Sequence, residues 1–503
     1  MNVASTIPKM FQSTVEKLPD NTALARKESG SWVTISYREL VDKSALFSKS
    51  LYSLGIKFGD RVALMLGNSP EWVIADLGTL SLGAADVPLY ATLADDQAKH
   101  ILKDSGAKAV VVAGDEQLAK LRRIAGDLPE LQLVITVEEG AAAVGSKRTV
   151  SLAAAMKMGS EMSAEDEKEM AEKGKKPGEN DLASIIYTSG TTGLSKGVML
   201  THGNFTSNVS GIYGNLEILP TDRHLSFLPL SHAFERTAGY YCLMGAGAAI
   251  YYAESIEKIG DNIKEVKPSI VISVPRLFEK MLGKIKDKVA AAPAIRQKLF
   301  HWAMDVGARV TDPENPDRNS ISLLMQYAIA NKLVFTKLQQ AFGGNIRFFV
   351  SGGAALSLEV ALFFRTIGIK VAEGYGLTET TPVISFNPLE NIRPGTVGKV
   401  LSNVEIKFLN DGELLVKGPS VAKGYFNNYE ATKSAFDSDG WFHTGDIAEL
   451  DSQGYLKITD RKKDLIVLSN GKNIAPLTIE SVLVGDDYIA QVMVIGNNRN
   501  FVS

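Results

Sequence analysis

Tyr187-Thr188-Ser189-Gly190-Thr191-Thr192-Gly193-Leu194-Ser195-Lys196-Gly197-Val198 is the stretch on which the fold of this chain turns. The apolar run before it, Ala183 to Ile186, reads as a buried strand, and Val198 to Thr201 reads as a second one. The context is therefore strand–loop–strand. Glycine lets backbone N–H groups come close to an anion, and the hydroxyls and the Lys196 ammonium add donors. Such a loop suits a polyphosphate, most simply ATP with Mg²⁺. It is not a P-loop, which needs Gly-Lys-Ser/Thr opening a helix; here Ser195 precedes Lys196 and Gly197 follows it. A ligand-free hairpin is the plainer alternative, but ordinary hairpin turns take about two to five residues and need no lysine.

On either side of this loop, strands and helices alternate. Tyr37 to Leu54 is an amphipathic helix stopped by Gly55. Strands follow at 61–66, 84–89, 107–112 and 131–137, with helices at 70–82, 93–105 and 116–125. Apolar strands between amphipathic helices predict an α/β fold with mostly parallel, helix-covered sheets. Met158 to Asn180 is charged and mixed in sign, a solvated helix or linker. Leu225 to Leu230 is a strand running into His232, Phe234 and the ion-pair candidate Glu235-Arg236. A long helical region spans 275–342, broken near 311–319. Two strands then end in glycine-rich turns, at Ser351-Gly352-Gly353-Ala354 and at Gly374-Tyr375-Gly376-Leu377-Thr378-Glu379. That arrangement fits a ligand crevice at the carboxyl ends of a parallel sheet. Short alternating strands after 395 predict a small β-subdomain. Strand, helix and strand at 465–468, 478–484 and 491–495 begin a new β-α-β unit.

With 503 residues the chain exceeds one core, so more than one domain is expected. The net charge of −3 gives no pull toward nucleic acid. The basic run Arg461-Lys462-Lys463 is too short, and too poor in aromatics, to suggest otherwise. Cys242 is the single cysteine, which excludes an intrachain disulfide and fits a reducing, cytoplasmic setting. No run reaches the ~20 apolar residues of a membrane span; peripheral contact with the inner face of a membrane stays allowed. No feature specifies an oligomeric state.

Five motifs, in order, resemble the adenylate-forming superfamily. They are the loop at 187–198, LPLSHAFERT at 228–237, GYGLTET at 374–380, Thr444-Gly445-Asp446, and DRKKDLIVLSNGKNIAP at 460–476. The His-Ala-Phe-Glu-Arg-Thr run and the long helical region are similar to the long-chain acyl-CoA synthetase branch. That resemblance implies ATP-dependent activation of a long-chain fatty acid to acyl-AMP, then transfer to CoA, with ATP, fatty acid and CoA as substrates. It implies a large domain over 1–459 (sheets to about 385, the β-subdomain from 386) and a hinge and small α+β lid from 460.

By the same resemblance, Ser189, Gly190, Thr191, Thr192, Gly193 and Lys196 hold phosphates. Thr188 and Glu379 are the metal-associated positions. Tyr375 offers a face to adenine with Gly353 and Ala354 on its other side, Glu373, Gly374 and Gly376 belong to the ATP/AMP-binding set, Thr378 meets the α-phosphate, and Asp446 meets the ribose with Arg461 nearby. Lys196, Thr188, Glu379 and Arg461 carry the catalytic roles, His232 and Phe234 stand at the acyl-site mouth, and Asp460 is the hinge. The family's lid lysine has no match before Ser503, and Lys472 is not that residue, so the lid is expected to be truncated. The alternatives are a fatty acyl-AMP or carrier-protein ligase, a non-catalytic acyl- or nucleotide-binding protein, and an ADP-forming P-loop enzyme.

Overall fold

The two strands around the loop exist in the computed structural model as Leu182–Thr188 and Lys196–Thr201, paired antiparallel. The structure describes residues 3–173, 175–188, 194–468, 473–474, 476–483, 489, 492–497, 499 and 501–503. The chain divides into two units. One contains 1–259, 377–382 and 419–436, and the other 260–376, 383–418 and 437–503.

In the first unit the hairpin closes one edge of a seven-stranded sheet. The order is Arg148–Ser151, Leu133–Thr136, Ala109–Val112, Arg61–Met65, Ala85–Pro88, Leu182–Thr188, Lys196–Thr201. All neighbours are parallel except the last pair. The central strands are apolar on both faces and fully buried, as a helix-covered parallel sheet requires. The helices begin and end where their termini are satisfied. Ser36 and Glu39 form a reciprocal capping box on Tyr37–Ser53, and Ser69 caps Pro70–Leu82. The edge strand Arg148–Ser151 and the helix Leu152–Ser160 escape a periodicity reading, being short and flanked by charge. A second set of strands in this unit, Arg223–Ser226, Ala249–Tyr252, Thr22–Glu28 and Ser31–Ser36, pairs in that order.

A buried ion network ties this unit together. Arg236 donates to Asp86 (2.7 Å) and Ser184 (2.9 Å), contacts Asp76, and reaches Tyr241 through Nε at 2.9 Å. Helix, two sheet strands and the segment 235–241 thus meet at one guanidinium with no exposure. Burial, reinforced by Asp86 beside it, pushes the Asp76 carboxyl well above the usual carboxylate range.

In the second unit Ile270–Ser273, Phe348–Ser351 and Val371–Gly376 run parallel, and Val383–Phe386 and Lys399–Val400 add antiparallel. Phe278, Phe349 and Phe364 pack edge to face beneath them, with centroids 5.4–6.0 Å apart. The expected turn at Gly374-Tyr375-Gly376 is strand instead, because these residues pair with Phe386, Ser385 and Val383. The helical region breaks at Ala291–Pro293 as well as near 312–320. The β-subdomain is a four-stranded antiparallel sheet, Glu405–Phe408, Glu413–Lys417, Phe442–Leu450, Leu456–Arg461. Its last strand contains the start of the basic run. Beyond it, Ile466–Val467 pairs with Asn473–Ile474 as a small hairpin, followed by the helix Pro476–Leu483. That order replaces the expected β-α-β start. Among the described residues no helix is long and apolar enough to cross a membrane.

Candidate functional site

The hairpin register sets Thr188 opposite Lys196, so the strands bring the two to the mouth of the loop. Ser189, Gly190, Thr191, Thr192 and Gly193 lie outside the described residues. The loop base is anchored twice. The Tyr187 phenol donates to Asp104 at 2.5 Å, and His100 Nε2 meets the Ser195 carbonyl at 2.9 Å. Gly197 has a packing reason. A Cβ there would stand 2.6 Å from Ile185 and 2.9 Å from the Tyr187 ring, so only glycine lets the strands close.

The segment 419–436 belongs to the same unit and runs against the hairpin. Met199 N–H donates to Gly424 O (3.0 Å), Lys423 N–H to Met199 O (3.1 Å) and Phe426 N–H to Gly197 O (2.7 Å). This delivers Tyr425, a residue the motif reading missed. Its hydroxyl donates to Glu379 Oε1 at 2.7 Å, and the Lys196 ammonium lies 5.3 Å from its ring centroid. Burial and the Glu379 carboxylate both push the Tyr425 phenol up, so it stays a donor. Its signal in sequence was an aromatic in Lys423-Gly424-Tyr425-Phe426, which ordinary core packing would equally produce.

Glu379 is held through its backbone. The 3-10 turn Thr378–Thr380 ends in Thr381 at φ +64°, a left-handed position that costs a β-branched residue energy. The Thr381 hydroxyl donates to Ser420 O at 2.6 Å, and Ala422 N–H donates to Glu379 O at 2.8 Å. Among the described residues, Glu379 makes no ion pair with Lys196 and keeps its second carboxylate oxygen without a hydrogen bond. A carboxylate with a threonine hydroxyl is an oxygen-only donor set, the kind a hard divalent cation takes.

The second unit gathers another group of candidates. Tyr375 leaves its strand toward Asp446, donating to Oδ2 at 2.5 Å. Arg461, the cross-strand partner of Asp446, holds Nε 3.4 Å from Oδ1. Asp446 is steadied from behind: its N–H donates to the Thr444 hydroxyl (3.1 Å), which donates to Leu414 O (2.7 Å). Burial raises the Asp446 carboxyl, while the Tyr375 bond and the Arg461 charge pull it down. Asp446 is 5% exposed and Arg461 57%, so the guanidinium faces water. Asp460 is buried and accepts from the Arg461 N–H at 2.7 Å. Glu373 accepts from Leu356 N–H at 3.3 Å, and burial pushes its carboxyl up to about 7. Gly353 sits at φ +82°, a left-handed turn with Ala354 exposed beside it. Gly374 and Gly376 flank Tyr375 within its strand.

At the other motif, Asn68 clips the Leu-Pro-Leu turn, donating to Leu228 O (2.6 Å) and accepting from Leu230 N–H (2.9 Å). His232 is exposed and Phe234 buried, and the Phe234 N–H donates to His232 Nδ1 at 3.1 Å. The next residues form a π-helix, Glu235–Tyr241, a rare geometry found often at functional sites. Glu235 and Arg236 do not pair with each other. Adjacent helical residues point apart, and Glu235 takes Ser226 (2.6 Å) and His224 (2.9 Å) instead.

This is the scaffold of an α/β enzyme whose chemistry is presented on loops and strand ends. The chain belongs to the AMP-binding enzyme family: the model of that family matches residues 11–426, and the model of an AMP-binding enzyme C-terminal domain matches 463–503. It is 33% identical to long-chain-fatty-acid–CoA ligase FadD15 of Mycobacterium bovis, over 96% of this chain and 79% of that one. It is 32% identical to long-chain-fatty-acid–CoA ligase ACSBG2 of Rattus norvegicus, over 99% and 76%. Among solved structures, a Mycobacterium tuberculosis fatty acyl CoA synthetase superposes with a TM-score of 0.69 at 25% identity, over 98% and 85%.

Proposed function

We propose that this chain is an ATP-dependent, AMP-forming long-chain fatty acid–CoA ligase of the cytoplasm. The observation that carries the reading is the Lys196–Tyr425–Glu379 arrangement. A cation near the ring and a carboxylate on the hydroxyl share one tyrosine, with no ion pair between them among the described residues. That is a poor way to stabilise a fold and a good way to receive a polyphosphate with its counter-cation. The family membership and the long-chain ligases among its relatives support the acyl and CoA half of the reading.

In the first half-reaction a carboxylate oxygen of the acid bonds to the α-phosphorus of ATP, and the bond to pyrophosphate breaks. In the second, the CoA sulfur bonds to the acyl carbon, the thiol proton is lost and AMP leaves. Both steps concentrate anionic oxygens, so fixed donors and cations supply much of the rate. Lys196 gives a point charge to the phosphates, joined by the loop residues Ser189 to Gly193. Thr378 donates to the α-phosphate. Thr188 and Glu379 would hold Mg²⁺, which when bound neutralises phosphate charge. Tyr375 offers its ring to adenine, with Gly353, Ala354, Glu373, Gly374 and Gly376 around it. Asp446 accepts from the ribose hydroxyls through Oδ1 while Tyr375 occupies Oδ2, and the Arg461 charge opposes the upward push of burial on that carboxyl. His232 and Phe234 stand at the acyl mouth. Residues from 460 onward act as a lid that turns about Asp460.

Oxygen-18 in the fatty acid carboxylate tests this. One labelled oxygen is expected in AMP after turnover with ATP, Mg²⁺ and CoA. Label in inorganic phosphate, with ADP as product, would sink the reading.

A further inference from the structure

Away from every residue assigned a role above, the first unit carries a groove of about 540 Å³. It is lined from the helices Ile7–Lys17, Tyr37–Ser53 and Pro70–Leu82, and by Glu167, Met170 and Lys175 to Pro177. Its floor is apolar: Phe11, Val41, Leu77, Leu82 and Met170. Its rim is not. Lys9, Lys49, Lys175 and Lys176 line it against a single carboxylate, Glu167. Glu167 is engaged by Lys49 at 2.5 Å, and Lys175 is engaged by Asp181 at 3.1 Å. Among the described residues, Lys9 and Lys176 have no carboxylate partner, and both are exposed.

We infer that this groove binds a single long-chain acyl anion, its tail along the apolar floor and its head between Lys9 and Lys176. An apolar trough lined also by two ammonium groups that have no carboxylate partner among the described residues matches a ligand with one tail and one negative head. The volume lies in the range of ~300–1,000 Å³ that holds one small ligand. A two-chain phospholipid exceeds it, and a neutral alcohol leaves both ammonium groups unused. Tail burial makes affinity rise with length, about fourfold per methylene until the groove is full. The site is separate from the catalytic reading and does not depend on it.

Photo-crosslinking with palmitate carrying a diazirine at the end of its chain, in the absence of ATP and CoA, tests this inference. Label is expected on the peptides 6–12, 41–49 and 77–82. Ala45 and Ser81 line the groove and are both exposed, so bulk there fills it without disturbing the core. Ala45→Trp, or Ser81→Phe should the first variant unfold, is expected to cut that label at least tenfold and leave other label unchanged. Lys9→Glu combined with Lys176→Glu is expected to do the same for the acid but not for the matching alcohol. Label confined to other peptides, label indifferent to the filling variants, or equal capture of the alcohol would each overturn the inference. So would binding of anionic phospholipid vesicles through these lysines that free palmitate fails to displace. Because no turnover is read, a failed oxygen-18 experiment leaves this result standing on its own.

Discussion

Two clusters in this molecule are built from the same three kinds of side chain: arginine, aspartate and tyrosine. Arg236 with Asp76, Asp86 and Tyr241 is sealed, every member at zero or near-zero exposure. Arg461 with Asp446 and Tyr375 is open: its guanidinium is 57% exposed, and its ion pair is long, at 3.4 Å. In the first, each guanidinium nitrogen has a protein acceptor and nothing remains for a ligand. In the second, one carboxylate oxygen is committed to a phenol and the other faces a loosely held cation. Chemistry alone does not separate a structural bolt from a binding site; satisfaction and exposure do.

The comparison is most severely tested by stability. Arg236→Leu strips the buried Asp76 and Asp86 of the guanidinium they share and is expected to cost ~3–5 kcal/mol in urea unfolding. Arg461→Leu, at an exposed pair, is expected to cost less than ~1 kcal/mol. Equal losses would erase the distinction.

Glu373 is the intermediate case, a buried carboxyl with backbone donors and no guanidinium. Its pKa of about 7 in the folded chain lies above the ordinary value of 4.5, so the folded state holds the proton more tightly. Its contribution to stability is full below about 4.5 and is lost as pH rises through about 7. Glu373→Gln is expected to remove this slope, worth ~3 kcal/mol across the window. Unfolding curves at pH 4.5, 6 and 8 check it, and parallel pH dependence in the two proteins would contradict it.

Ligand binding then sharpens the contrast from the other side. Arg461→Leu is expected to weaken AMP by ~1.5–3 kcal/mol, the worth of a charged hydrogen bond, as measured by calorimetry. The smallest effect belongs to Tyr425→Phe. Losing one hydrogen bond to Glu379 costs ~1 kcal/mol. It is expected to lower kcat/KM about fivefold and raise the Mg²⁺ concentration needed for half-maximal rate, with Tm nearly unchanged.

The alternation of apolar strands and amphipathic helices made the parallel sheets legible, since a strand buried on both faces can be little else at that length. The strand–loop–strand around Lys196 was legible for the same reason. Residues whose state depends on distant partners were hidden. Gly374 to Gly376 carry the composition of a turn, and only pairing with Val383–Phe386 makes them strand. Tyr425 is an unremarkable aromatic until 423–426 lies along the hairpin. Glu235-Arg236 invited a local ion pair, whereas Glu235 turns to the neighbouring strand at His224 and Arg236 to the distant Asp86. Gly197 belonged to the phosphate motif in sequence and answers to Ile185 and Tyr187 in the structure.

The most direct measurement is product identification by mass spectrometry after incubating the protein with ATP, Mg²⁺, CoA and fatty acids of increasing length. Acyl-CoA with equimolar AMP and pyrophosphate, strongest for long chains and abolished by Lys196→Ala, is the predicted result. Acyl-AMP that persists without thioester, or no AMP with any acid, would contradict the account.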